Sequence, residues 1–387
     1  MITTPLSASY FRGAAELEET ARGLRPHRLP GWVRAQFPEP RLLMMEGQPS
    51  GVRLVMTTSA RTVELLTHPT WVAYRGTDRP RGCVDLVVDG EFFASAPLSG
   101  GDLIEIDLTT GQTEVRPGPA HPVVFDGLPA GAKLVELWLP HNESVELAGL
   151  WTDEPVRPAE RRGPVWLHHG SSISHGSNAA VPTGTWPAVA ARRGGVELRN
   201  LGLGGSALVD QFTARVMRDA PADFLSVKLG INVVNLDAMH LRAFVPAVHG
   251  FLDTLRDGHP DTPLVLISPI FCGIHEDTPG PGAFDPDTFR TGHVTFVATG
   301  DSADQERGRL TLRVVRDTLA ELAGHRADPN LHYLDGTTLY GEQDAAELPL
   351  LDALHPDAVA HRLIGDRFAE YAFAPTGPFA TRAPAAR

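Results

Sequence analysis

The chain has 387 residues, room for two domains at roughly 100–200 residues each. With 42% hydrophobic and 21% charged residues it is too apolar for a disordered chain. A formal net charge of −13 argues against non-specific binding to nucleic acid or an anionic membrane, and the two distant cysteines, Cys83 and Cys272, make neither a disulfide scaffold nor a zinc site.

The N-terminus has no basic region followed by an apolar run, so no secretory signal is read and a cytoplasmic location is expected. No stretch approaches the ~20 apolar residues that span a bilayer. Residues 1–50 read as a helical or irregular lead-in. Between about Gly51 and Leu150 the chain shows short β-rich runs broken by turn residues, such as GVRLVMTTS, TVELLTH, KLVELWLP and SVELAGLW. Val84–Gly90 ends in Asp-Gly, a favoured hairpin turn. This texture predicts an antiparallel, jelly-roll-like β-sandwich over residues 1–152. Trp71 and Tyr74 there could stack on a sugar, although core packing accounts for them as well. The polar, proline-rich stretch 153–164 reads as a linker.

After Pro164 the pattern alternates. VWLHHG (165–170), VELRNLGL (196–203), FLSVKLGIN (224–232), PLVLISPIF (263–271) and LHYLDG (331–336) read as buried parallel strands. Helical patterns separate them: TWPAVAARR, LVDQFTARVMRD, 237–257 and 303–325, with PDAVAHRLIGDRFAEYAF at the end. This predicts, over residues 165–387, an α/β domain in which a doubly wound parallel sheet is covered by helices on both faces, giving three layers. A ligand site in such a sheet lies at the carboxyl ends of the strands. The Gly/Pro-rich stretch 273–302 is long for a compact connection and reads as either a surface excursion or a functional loop.

Four strand-end or loop segments carry candidate chemistry. Ser172 follows the first strand on a glycine-flanked turn, where a nucleophile can stand above a sheet. Its surroundings, Gly170-Ser171-Ser172-Ile173-Ser174, are not a G-x-S-x-G elbow. Gly205 closes Asn200–Ser206, whose glycines let backbone N–H groups approach a ligand but fit no phosphate-binding pattern. Asn232, at the third strand's end, can donate to a developing oxyanion or simply cap a turn. Asp352 and His355, three apart before the last helix, can share one pocket, the carboxylate holding the imidazole in one tautomer. The adjacent His168 and His169 point to opposite faces of a strand and read as packing residues rather than metal ligands. His175 could line a pocket but is given no catalytic role.

Taken in order, Ser172 in GSSI, Gly205 in NLGLGGS, Asn232 in LGIN and His355 in DALHP resemble the four blocks of the SGNH subgroup of the GDSL esterase/lipase family. The resemblance spans about residues 164–373. The β-rich N-terminal half followed by such a domain also resembles the layout of some carbohydrate esterases. Two positions depart from the family pattern: Ser171 stands where Asp usually precedes the nucleophile, and Val233 follows Asn232 where Asp is common. Serine in the first position could still bond the neighbouring backbone.

The resemblance implies an SGNH-hydrolase-like fold and a serine esterase with catalytic Ser172, Asp352 and His355. Its oxyanion hole would comprise the N–H groups of Ser172 and Gly205 and the side-chain amide of Asn232. The substrate would be a small acyl ester, such as an acetyl ester, on a carbohydrate or another small molecule. Such chemistry needs no metal and no cofactor, and the expected partner is the small-molecule ester alone, without nucleic acid or membrane. An acyltransferase would use the same residues with an alcohol in place of water. A glycan-binding protein with an inactive hydrolase-like domain is the non-enzymatic alternative. The oligomeric state is not readable.

Overall fold

The computed structural model describes residues 1–77, 79–288 and 294–380. The chain divides into two compact units. One comprises Met1–Arg162 with Ala179–Gly184 and Pro286–Val294, and the other comprises Gly163–Asn178, Thr185–Asp285 and Thr295–Arg387.

The first unit is a β-sandwich. One sheet runs in the order Thr113–Arg116, Asp102–Ile106, Thr62–Tyr74, Ser144–Thr152, Gly23–His27, Glu16–Thr20, and the other in the order Val156–Pro158, Arg53–Thr58, Lys133–Trp138, Cys83–Val88, Glu91–Pro97. Alternate residues face inward: in His121–Asp126, Val123 and Phe125 are buried among Leu54, Leu86, Leu137 and Leu147 from both sheets. The expected hairpin forms between Cys83–Val88 and Glu91–Pro97.

Three features differ from the sequence expectation. The sheet pairing is antiparallel except where Asp102–Ile106 runs parallel to Thr62–Tyr74, because the chain between them crosses into the other sheet and returns in the same sense. Residues 1–50 are not merely a helical or irregular lead-in: Ile2–Thr4, Glu16–Thr20 and Gly23–His27 are strands, and only Gly31–Gln36 and Pro40–Glu46 are α-helices. Glu16–Thr20 reads as polar because it is an edge strand, where charge is tolerated. Its exposed Glu18 is paired with His27 at 2.9 Å and its exposed Glu16 with Arg34 at 3.1 Å. The stretch 153–164 is not wholly a linker either. Val156–Pro158 pairs with Arg53–Thr58 as a second edge strand, a position where proline costs no ladder bond. The Arg81 guanidinium lies 5.1 Å from the Trp71 ring centroid, so one face of that ring is occupied.

The second unit is built on five parallel strands: β1 (Val165–Gly170), β2 (Glu197–Gly202), β3 (Phe224–Lys228), β4 (Leu264–Ile267) and β5 (Leu331–Leu334), arranged 2-1-3-4-5. Strands β1, β3 and β4 are buried throughout, which is why they read as continuous apolar runs. Its longer helices are α1 (Trp186–Gly194), α2 (Gln211–Asp219), α3 (Leu241–Gly258), α4 (Leu312–His325) and α5 (Ala358–Ala372).

Alternation along β1 assigns the layers. Trp166 stacks on Phe368 of α5 at 5.0 Å, and His168 meets Trp186 of α1 at 4.7 Å. His169, on the opposite face, stacks on Phe251 of α3 at 5.9 Å. Helices therefore cover both faces, as the alternation predicts. The strand order reverses between β1 and β3, the position where sheets of this kind open a ligand crevice beyond their carboxyl ends.

Candidate active site

Ser172 is the first residue of a single helical turn, Ser172–His175, directly after β1. At a helix start the backbone N–H groups have no intrahelical partner, so that of Ser172 is available to a ligand. The turn lies close against β2. A Cβ on Gly202 would lie 2.3 Å from the backbone nitrogen of His175, so only glycine fits there.

A buried polar network backs the turn. Trp166 Nε1–H donates to Ser226 Oγ at 2.8 Å, Ser226 bonds His168 Nδ1 at 2.7 Å, and His168 Nε2 bonds Ser174 Oγ at 2.8 Å. The Asn200 amide donates to the Ser174 carbonyl at 2.8 Å and accepts from the Gly202 N–H at 2.9 Å. Register places His168 level with Asn200 on β2 and with Ser226 on β3. Burial, with the neighbouring His169 and Lys228 adding to it, pushes the His168 imidazole well below its ordinary range and keeps it neutral. The sequence reading of His168 as a packing residue is thus incomplete: the ring also holds the Ser172–His175 turn. Ser171 makes no side-chain cap and, among the described residues, its buried hydroxyl has no hydrogen-bond partner, contrary to the expected bond with the neighbouring backbone.

On the other side, Asp352 and His355 occupy the turn before α5. His355 Nδ1 bonds Asp352 Oδ2 at 2.8 Å and His355 Nε2 bonds Ser172 Oγ at 2.9 Å. The second carboxylate oxygen, Asp352 Oδ1, accepts the backbone N–H groups of Leu354 and His355 at 2.9 and 2.7 Å. Asn178 adds an amide hydrogen bond to Oδ2 at 3.0 Å. Burial alone would raise the Asp352 carboxyl, but the bonds from His355 and the backbone outweigh it and hold the group below the usual carboxylate range. Ala353, between the two residues, has φ 66°, in the left-handed region.

Asn232 lies not on a strand, as its sequence reading has it, but in the short helix Ile231–Asn235 after β3. Gly230 precedes it at φ 121°, and a Cβ there would lie 2.5 Å from Val315. Asn232 Oδ1 accepts the backbone N–H of Ala207 at 3.2 Å, leaving Nδ2 as the donating end of the side chain. Gly205, at φ 67°, lies in the same loop as Ala207. The structure thus joins Ser172, His355 and Asp352 directly, and links Asn232 to the Gly205 loop through Ala207.

Sequence reading missed Asn178, Asn200 and Ser174, whose hydrogen bonds hold the turns in place. It also missed Lys228, a buried ammonium at the end of β3 with no hydrogen-bond partner among the described residues. Burial pushes its pKa down to about 8. Among the described residues no group of three or more His, Cys, Asp or Glu is arranged to hold a metal ion, and no helix is long and apolar enough to cross a membrane.

Residues 169–363, which include all four blocks, match the GDSL-like lipase/acylhydrolase family. The chain belongs to that family. Residues 9–147 match the N-terminal domain of SsfX3. This GDSL chain is similar in structure to the salicylyl-acyltransferase SsfX3 from a tetracycline biosynthetic pathway, at 28% identity over 92% of each chain and a TM-score of 0.74. A GDSL-like lipase-type protein from Bacteroides ovatus is 18% identical over 92% of this chain and 93% of its own, with a TM-score of 0.63. A family two carbohydrate esterase from Clostridium thermocellum is 13% identical over 83% and 90%, with a TM-score of 0.55. The last two likenesses are of fold. Among curated proteins, none matches this chain.

Proposed function

We propose that this GDSL protein is a serine esterase of small acyl esters, acetyl esters among them, borne on a carbohydrate or another small alcohol. The supporting observation is the unbroken relay from Ser172 Oγ through His355 to Asp352, with spacings of 2.9 and 2.8 Å.

In the first step His355 Nε2 takes the hydroxyl proton as Ser172 Oγ attacks the ester carbonyl. Asp352 accepts the Nδ1–H bond and steadies the imidazolium that results. Negative charge on the carbonyl oxygen falls to the N–H groups of Ser172 and Gly205 and the amide of Asn232. His355 returns its proton to the departing alkoxide, leaving an acyl group on Ser172. Water, deprotonated by the same imidazole, then releases the acid.

A second reading is acyl transfer, with an alcohol in place of that water. The specific observation in its favour is the likeness to the salicylyl-acyltransferase SsfX3, which extends over both halves of the chain and includes its N-terminal domain. A non-catalytic, glycan-binding role draws no support from a relay in which all three groups are present and bonded.

The test is turnover of a chromogenic acetate ester by the wild type and by Ser172→Ala, with and without an alcohol acceptor. Loss of at least about 10⁴-fold in kcat for Ser172→Ala is expected, since a nucleophile cannot be replaced by its neighbours. Wild-type turnover by that variant would end the proposal. Free acid as the main product in the presence of acceptor supports the esterase, and a new ester supports the transferase.

A further inference from the structure

Within the Gly/Pro-rich interruption 273–302, the described residues form a small hairpin. Gly282–Phe284 pairs antiparallel with Phe296–Ala298, the connecting residues 289–293 lying outside the described residues. Phe284 and Phe296 face each other across this pair, with ring centroids 4.9 Å apart.

The second strand of the hairpin meets the Asp352–His355 turn in two ways. The backbone N–H of Phe296 donates to the carbonyl of Asp352 at 2.9 Å. The Phe296 ring stands at 76° to the His355 imidazole, centroid to centroid 5.5 Å. Ahead of the hairpin, the Cys272 thiol donates to the Ala353 carbonyl at 3.4 Å, so the left-handed residue of the same turn is held as well.

We propose that Phe296 is a positioning residue, fixing the main chain of the acid and the ring plane of the base so that His355 Nε2 stays directed at Ser172. This rests on the acyl-enzyme reading above. His355 reaches Ser172 across 183 positions of sequence from an irregular turn that does not follow a strand directly. Asp352 restrains one end of the imidazole. A hydrogen bond at Nδ1 leaves the ring free to tilt about that bond, and an aromatic ring set nearly perpendicular to it limits the tilt. Phe284, packed on Phe296, keeps that ring from swinging away. The main-chain bond from Phe296 to Asp352 makes the two restraints move as one.

The experiment compares wild type, Phe296→Ala and Phe296→Leu on a chromogenic acetate ester. Its readouts are kcat, KM, the rate at which a fluorophosphonate labels Ser172, and the low-field proton resonance of the His355 Nδ1–H. For Phe296→Ala a loss of roughly a hundred-fold in kcat is expected, as for reacting groups displaced by about an ångström. KM should change little, labelling should slow in parallel, and the low-field resonance should broaden or vanish. Phe296→Leu, which keeps bulk, should recover part of each, and it carries the test should the alanine variant not fold.

Wild-type kcat with an intact resonance in the variant that folds would overturn the proposal. So would a rise in KM at unchanged kcat, which would make Phe296 a substrate contact instead. Ser172→Ala run alongside separates the two claims: activity surviving in that variant refutes the acyl-enzyme, whereas its loss, with Phe296 variants fully active, refutes only the positioning role.

Discussion

The two turns that meet over Ser172 Oγ are built differently. The Ser172 turn grows directly from β1, the strand between β2 and β3, and is held from behind by buried groups: His168, Ser174, Ser226 and Asn200. The Asp352–His355 turn does not follow a strand directly and is held from the side by Asn178, Cys272 and Phe296. In the first, the site's geometry and the fold's stability are the same interactions. In the second they are separable, so mutations there should alter rate with little effect on unfolding.

Substitutions at the two turns can break that distinction. After the loss expected of Ser172→Ala itself, the largest effect is expected from Asn232→Ala, in the short helix Ile231–Asn235 beside the Ser172 turn. Its Oδ1 is pinned by Ala207, so its amide is a donor held in place before substrate arrives. Removing one such donor typically costs ~2.7–4 kcal/mol, or roughly 10²–10³-fold in kcat. Steady-state kinetics showing near-full turnover would remove Asn232 from the proposed oxyanion hole.

Next comes Ser174→Ala, which leaves buried His168 Nε2 without its partner. About 1–3 kcal/mol of unfolding free energy should be lost. Denaturant titration reads this directly, and an unchanged midpoint would mean that the network does not support the fold.

The smallest effect belongs to Asn178→Ala. This exposed side chain gives Asp352 one hydrogen bond of several. A loss of roughly two- to tenfold in kcat matches the worth of one such bond, with no change in melting temperature. A clear drop in melting temperature would show that the Asp352–His355 turn is as much a part of the frame as its counterpart.

The same contrast explains what could be read from sequence. The five strands of the second unit were legible because burial on both faces demands unbroken apolar runs such as VWLHHG and FLSVKLG. The positions of Ser172 and Gly205 in the fold were legible because each lies just beyond such a run. Asn232 was placed on the wrong element: a helical turn begins at Ile231, where Gly230 redirects the chain, and nothing in LGIN alone separates that turn from the strand before it. Asn178 and Phe296 left no local signal, since one is an exposed polar residue and the other an aromatic in a stretch without periodicity. Their roles exist only through partners 174 and 59 positions away, Asp352 and His355. In the sandwich, Glu16–Thr20 and Val156–Pro158 escaped for a related reason: edge strands accept charges and prolines that a central strand would reject.

Ala353 carries a last consequence. An alanine at φ 66° gives up some native-state energy that a glycine would not. A glycine at that point would also open many other paths for the main chain between the carboxylate and the imidazole. The single methyl group closes many of those paths, so the preorganisation of this dyad depends in part on the restriction a lone side-chain carbon places on the main chain.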